Sequence, residues 1–406
     1  KIWYLYEFLT GNTLPLDDVK QGNYVDLLEE DKYYTAPPRP IRRQRVNDNL
    51  LGNRYFCPIV RRTETLRQFE ASNFPERCRQ LIAGYPEVIL KRTVGFLYTK
   101  ETLSSFEIER VKLSPERTER FVQLLHLAAE EDFCNKEALI ALQNHIVVDE
   151  RFHDKDYRTN QNYVGENHPI RGAIIHFASP KPNDLPDLME GLLAAHQRME
   201  EGNIAPVVHA ATIAYGFVFM HPFEDGNGRI HRFLIHNILA RKGFTPEGVI
   251  FPVSAVMLRN MKAYDASLEA FSKPLMRLVK YELDENGVLT IHSDTAIWYR
   301  YIDMTPQVEA LFNFIENTLE QELAQEFAYL ERYDKAQRAI RAIVNDMPDN
   351  KVDLFIKLCL QNNGKLSAKK RKKFFAQFTD EEIAKMEMAI KEVLDEGKDI
   401  TPAPKS

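Results

Sequence analysis

His221-Pro222-Phe223-Glu224-Asp225-Gly226-Asn227-Gly228-Arg229-Ile230-His231-Arg232 is the stretch from which the rest of the chain is best read. Pro222 disfavours the helical conformation at His221, so a preceding helix should end there and leave the imidazole free in a loop. Gly226 and Gly228 permit positive φ on either side of Asn227. Successive N–H groups can then point into one concavity, a nest suited to anions. A helix is expected immediately afterwards, with its unpaired N–H groups and dipole facing the same concavity. Arg229, Arg232 and His236 share one face at i, i+3 and i+7. Ile230, Leu234 and Ile238 form another face that can be buried.

Two guanidiniums, a helix N-terminus and a glycine nest together describe a polyphosphate site. Asp225 adds one carboxylate beside it, the usual protein share of a Mg²⁺ site completed by phosphate oxygens. His221, with a reference pKa near neutrality, can deprotonate a hydroxyl. These parts suggest transfer of a phosphate-containing group from a nucleotide to a hydroxyl.

The twelve residues resemble the signature H-P-F-x-[DE]-G-N-G-R-x-x-R of the Fic family, with every specified position matched, and the resemblance extends over about residues 101–271. It implies a mainly α fold: a Fic-type helical core with a β-hairpin flap. It also implies a protein adenylyltransferase, which moves AMP from ATP to a Ser, Thr or Tyr hydroxyl of a target protein and releases pyrophosphate. On this resemblance His221 is the general base, Phe223 anchors the loop in the core and Asp225 holds Mg²⁺. Gly226, Asn227 and Gly228 form the anion hole. Arg229 contacts the β-phosphate and Arg232 the γ-phosphate, and Glu224 takes no role. The Gly-Asn-Gly pattern separates the chain from Doc-like kinases. Tyr264 resembles a residue lining the adenine pocket, with a packed core tyrosine as the equal alternative.

Many Fic proteins carry an inhibitory helix with the pattern [ST]-x-x-x-E-[GN]. Ser105 and Glu109 fit its first five positions, and Arg110 departs from the last. The resemblance implies that a Glu109 carboxylate pairs with Arg232 and displaces the γ-phosphate. Three other uses of the site stay open. One is removal of AMP, with Glu109 positioning water. Another is a different nucleotide or phosphodiester donor. The third is a nucleotide-sensing regulator whose C-terminal module binds DNA or a partner.

Outward from this stretch, helices are expected over about 184–200, 205–220, 229–242 and 254–271. Ser114-Pro115 reads as an N-cap with Pro at the first helical position, and another helix starts near Asn135. Tyr163-Val164-Gly165 and Ala173-Ile174-Ile175-His176-Phe177 read as a hairpin. The resemblance makes this hairpin, over about 163–177, the flap on which a target segment docks by strand addition. Residues 1–75, rich in Pro, Tyr, Asn and Gly, read as an irregular region with a basic cluster at Arg39, Arg42, Arg43 and Arg45. Residues 76–275 form the core, with the inhibitory helix near 101–110. Residues 276–406 form a helical module. Its basic run Lys369-Lys370-Arg371-Lys372-Lys373 suits a winged-helix DNA binder, a regulatory module or a solvated helix face. The tail after Glu396 is expected to be disordered.

Composition bounds these readings. The 406 residues carry 53 Lys+Arg against 59 Asp+Glu, a net charge of −6, which excludes a generally basic nucleic-acid binder. The length calls for two or three domains. Cys57, Cys78, Cys134 and Cys359 are far apart, which argues against a disulfide scaffold and for a reducing cytoplasm. The longest apolar stretch, 206–220, is too short to span a bilayer, and no signal peptide is visible. The chain starts at Lys1, as a fragment or a processed chain would. All histidines lie between His126 and His292. Neither G-x-x-x-x-G-K-[ST] nor H-E-x-x-H occurs. A homodimer is expected by analogy only.

Overall fold

The computed structural model describes residues 1–168 and 172–396. The tip of the expected hairpin and the expected disordered tail lie outside them. Helices dominate the described residues, with three small sheets. The chain divides into two compact units, residues 1–80 with 94–319, and residues 81–93 with 320–406. Residues at both ends of the first unit are tied together. Ile59 N donates to Ile302 O (2.9 Å) and Met304 N to Ile59 O (2.8 Å).

In the first unit, helix Pro206–Met220 is apolar on every face and buried along nearly its whole length. Such a helix must be surrounded. Helices Leu185–Glu201, Asn227–Arg241 and Thr305–Asn317 pack around it. Pro206 opens it at a position that needs no N–H donor. It ends at Met220, as Pro222 requires, and His221 turns left-handed with φ 49° and ψ 57°.

Expected helix starts at Ser114 and Asn135 are present. Ser114 Oγ accepts from Arg117 N (3.2 Å) and Asn135 Oδ1 from Ala138 N (2.9 Å). The helix expected over 254–271 is two, Val253–Arg259 and Met261–Met276. Asn260 breaks the run with φ −122° and ψ 56°, and its side chain caps the second helix at Ala263 N.

Strands Tyr163–His168 and Gly172–Ala178 form the expected antiparallel hairpin, with a bulge between Val164 and Gly165. An isolated hairpin is marginal. This one is held by Phe177, which is buried against Phe219, Phe271 and Tyr299.

The N-terminal region is more ordered than its composition predicts. It has a helix, Ile2–Thr10, and a three-stranded sheet of Val25–Asp26, Val46–Asp48 and Arg39–Ile41. Its basic cluster is largely spent internally. Arg43 pairs with Asp18 (2.9 Å), Arg39 with Glu201 (3.0 Å), and Arg45 lies over the Tyr24 ring.

The second unit is helical throughout its described residues, so the wing of a winged-helix fold is not seen there. Ile340, Val352, Phe355, Ile356, Met386 and Ile390 form its core. The basic run lies on helix Ala368–Phe374. Arg371 pairs with Asp380, and Lys370 and Lys373 lie over Phe374.

Candidate active site

The left-handed turn at His221 aims the imidazole across the end of its own helix. Nδ1 lies 3.2 Å from Val218 O. A carbonyl can only accept, so in the neutral ring Nδ1 carries the proton and Nε2 carries the lone pair. The ring is therefore not free, as the sequence suggested, but held in one tautomer. Burial pushes the His221 pKa down to about 4, which keeps the ring neutral near pH 7.

The turn that follows is closed by Asn227. Its Oδ1 accepts from Phe223 N (3.1 Å) and its Nδ2 donates to Phe223 O (2.7 Å). The Asn227 side chain is thus used inside the loop, and only its backbone N–H remains for an anion. Phe223 is fully buried between Tyr157 and Phe217.

Of the two glycines, only Gly226 has positive φ (91°), and it is the N-cap of helix Asn227–Arg241. The helix starts two residues earlier than expected. Gly228 is its second residue, so the expected nest is a helix N-terminus. Ile230 N closes the first turn on Gly226 O (2.9 Å). The N–H groups of Asn227, Gly228 and Arg229 have no partner within the helix.

A carboxylate stands at that N-terminus. A Cβ on Gly228 would lie 2.0 Å from Glu109 Oε1 and 2.8 Å from Glu109 Cδ. Glycine here lets the Glu109 carboxylate approach the backbone, and its φ is not positive. The same Oε1 accepts from Arg232 Nη2 (2.8 Å). Arg232 is fully buried. Its Nε donates to Ser105 Oγ (2.9 Å), Nη2 also to Ser105 O (2.8 Å), and Nη1 to the Tyr264 hydroxyl (3.3 Å). Burial opposes the Arg232 charge, and the Glu109 carboxylate overcomes it, holding the guanidinium above its ordinary pKa.

The structure therefore brings Ser105, Glu109, Gly228, Arg232 and Tyr264 together. Tyr264 is buried beneath Arg232 and stacked near His231. Arg229 is buried, lies over the Phe106 ring, and places Nη2 2.9 Å from Asp225 Oδ1. Its Nε has no hydrogen-bond partner, an orphan donor beside the helix N-terminus. Asp225 is the exposed member of this pair, its side chain 61% accessible.

Arg110, the departure from the inhibitory pattern, follows the end of helix Glu87–Ile108 at φ 54°. Gly and Asn suit that left-handed position, so the departure is a matter of backbone strain and leaves the Glu109 contact intact. Arg110→Gly is expected to stabilise the protein by about 0.5–1 kcal/mol, read as a raised midpoint in urea.

Residues 133–239 match the Fic/DOC family. Over these residues the chain resembles a Fic domain. Proteins named protein adenylyltransferase Fic from Drosophila mojavensis, Drosophila virilis and Drosophila melanogaster are 37% identical over 97 residues. That stretch is 24% of this chain and 17–18% of each relative, so the likeness covers under a fifth of those proteins. A Fic family protein from Desulfovibrio desulfuricans G20 superposes with a TM-score of 0.46 at 18% identity, covering 77% of this chain and 84% of that one. A Fic domain containing signaling protein from Bacteroides thetaiotaomicron VPI-5482 gives 0.46 and 18%, covering 66% and 97%. The family match includes His221 to Arg232 and stops short of Glu109 and Tyr264.

Two residues that support the Fic-like region escaped the sequence reading. Arg158 is buried and donates through Nε to His221 O (2.8 Å), through Nη1 to Asn160 O and through Nη2 to Pro180 O (2.7 Å each). Its own N–H donates to Pro222 O (2.8 Å). It fixes the His221-Pro222 backbone, and burial lowers its pKa to about 10. Glu101 is fully buried on helix Glu87–Ile108. It lies 2.8 Å from His236 Nε2 and accepts from Ser254 N (2.9 Å), anchoring that helix to the core. No local pattern marks either residue. Arg158→Met leaves the buried Pro180 carbonyl and the partly buried His221 carbonyl without this donor and is expected to cost about 2 kcal/mol in a denaturant melt.

A cavity of about 450 Å³ opens beside His221, lined by Val164, Glu166 and His176 of the hairpin, Phe219, and Asp265 and Leu268 of helix Met261–Met276. Among the described residues no helix is long and apolar enough to cross a membrane.

Proposed function

We propose that the Fic domain transfers AMP from ATP to a hydroxyl of a target protein, and that Glu109 restrains it. One observation carries this reading: an anion site built from a helix N-terminus, Arg229 and Arg232 in which the chain's own carboxylate stands. ATP supplies the competing anion. Its polyphosphate matches the unpaired N–H groups and the Arg229 Nε orphan. Arg232 is the group for which Glu109 and the γ-phosphate compete.

His221 accepts the target hydroxyl's proton at Nε2 while Nδ1–H stays on Val218 O. The hydroxyl oxygen then bonds to the α-phosphorus as the bond to pyrophosphate breaks. Mg²⁺ fits Asp225, since one accessible carboxylate with phosphate oxygens is a typical donor set for this cation. The ion would neutralise phosphate charge there. The hairpin beside the His221 cavity offers backbone to an extended target segment.

The test uses the Glu109→Gly variant with ATP labelled in either the α- or the γ-phosphate. Adenylyl transfer puts α-label and no γ-label on protein. γ-Label on protein would identify a kinase and overturn the reading.

A further inference from the structure

The helix that carries the restraint and the helix that opens the anion site meet with matched spacing, in opposite chain directions. Glu101 and Ser105 on Glu87–Ile108, and Glu109 just past its end, follow one another at every fourth residue. Gly228, Arg232 and His236 do the same along Asn227–Arg241. Residues four apart share a helix face, and the two sets pair rung by rung. Glu109 Oε1 stands at Gly228, and Ser105 accepts from Arg232. Glu101 Oε1 is 2.8 Å from His236 Nε2.

The Glu101 rung differs from the other two. It lies two helical turns from Glu109, about 12 Å along the axis. Among the described residues Glu101 contacts His236 and Ser254 and no group of the anion site. It is a fully buried carboxylate, a costly group unless it is hydrogen-bonded. Both oxygens are used: Ser254 N donates to Oε2 (2.9 Å) and the Ser254 hydroxyl to Oε1. Ser254 is also fully buried, in the first turn of helix Val253–Arg259. His236 Nε2 has no aligned hydrogen-bond partner, so Ser254 supplies the directional bonds and the imidazole packs beside them. A slip of the helix by one residue would turn Glu101 by about 100° and leave its carboxylate unpaired in the core. Leu97 and Phe106, buried on the same helix, hold it by hydrophobic contact, which is non-directional and fixes register less sharply. Ser105 is directional too, but its partner Arg232 is the group that nucleotide claims.

We propose that Glu101 is the positioning residue of the restraint. It sets the register of helix Glu87–Ile108 from outside the nucleotide site and so holds Glu109 against Arg232. The proposal rests on the reading of Glu109 as the restraint. Loss of the Glu101 carboxylate lets the last turns of the helix shift, and Glu109 then yields Arg232 to the γ-phosphate more readily. Glu101 adds nothing to the chemical step.

Titration calorimetry with ADP and a non-hydrolysable ATP analogue compares wild type, Glu101→Met, Glu109→Gly and the double variant. Methionine keeps the length of the side chain and removes the carboxylate. Glu101→Met should tighten the ATP analogue by about threefold to tenfold relative to ADP. In the Glu109→Gly background the same change should add less than about twofold, because the group it positions is gone. Glu101→Gln, which can still accept from Ser254 N, should fall between wild type and Glu101→Met. A loss of packing alone would lower the thermal midpoint without separating the two nucleotides. If Glu101→Met does not fold, Ser254→Ala, which removes one donor to Glu101, decides by the same comparison. Suppose Glu109→Gly favours the ATP analogue while the folded Glu101 variant treats both nucleotides alike, or gains as much without Glu109 as with it. The proposal is then overturned and the restraint stands. No preference for the ATP analogue in Glu109→Gly would overturn both.

Discussion

Glu109→Gly is expected to raise label transfer from α-labelled ATP on the order of a hundredfold. The magnitude follows from the pair that is removed. Glu109 Oε1 is 2.8 Å from Arg232 Nη2, and that guanidinium is fully buried. ATP must break this contact to reach Arg232. Glu109 is about one-third accessible, so the low end of the about 2–5 kcal/mol typical of a buried charge pair applies, and each 1.4 kcal/mol is about tenfold. The same substitution should lower the thermal midpoint in the absence of nucleotide, because Arg232 keeps only Ser105 and Tyr264 as partners. Saturating ATP should restore part of that loss. A variant that gains neither activity nor nucleotide-dependent stability would remove Glu109 as the restraint.

His221→Asn, made in the Glu109→Gly background, should reduce transfer by about 10²–10⁴-fold, the usual worth of a positioned general base. Asparagine is preferred to alanine because His221 sits at φ 49°, a conformation asparagine tolerates. The fold should survive and nucleotide affinity should hold, so the loss falls on the rate at saturation. The pH dependence carries a sign. The base works when neutral, and burial places its pKa at about 4. Its contribution is full at neutral pH and is lost as pH falls through about 4, so the acid limb from this group lies well below that of an ordinary histidine. An acid limb near pH 6.5 assigned to His221 would contradict a ring held neutral down to about pH 4.

Much of the site was legible because its chemistry is local. Pro222 stops a helix by sterics, and Gly226 opens the next one, so the His221–Arg232 stretch carries its own geometry. The partner of Arg232 was legible only as a spacing, Ser105 to Glu109, more than a hundred residues away in sequence. Gly228 was misread for a physical reason. Glycine serves both positive φ and close approach, and sequence does not say which. Only the place of the Glu109 carboxylate showed the second.

Arg158 and Glu101 were invisible because their partners are backbone carbonyls and residues distant in sequence. The two-helix break at Asn260 replaced a continuous helix because one capping side chain outweighed the apolar periodicity. The N-terminal region read as irregular because its strands are two or three residues long, below the length at which alternation registers.

The claim on which the account rests is that Glu109 and the γ-phosphate compete for Arg232. Titration calorimetry with ADP and with a non-hydrolysable ATP analogue, on wild type and Glu109→Gly, tests it directly. The substitution should tighten the ATP analogue by at least about tenfold more than it tightens ADP. Equal changes for the two nucleotides, or no change for either, would contradict it.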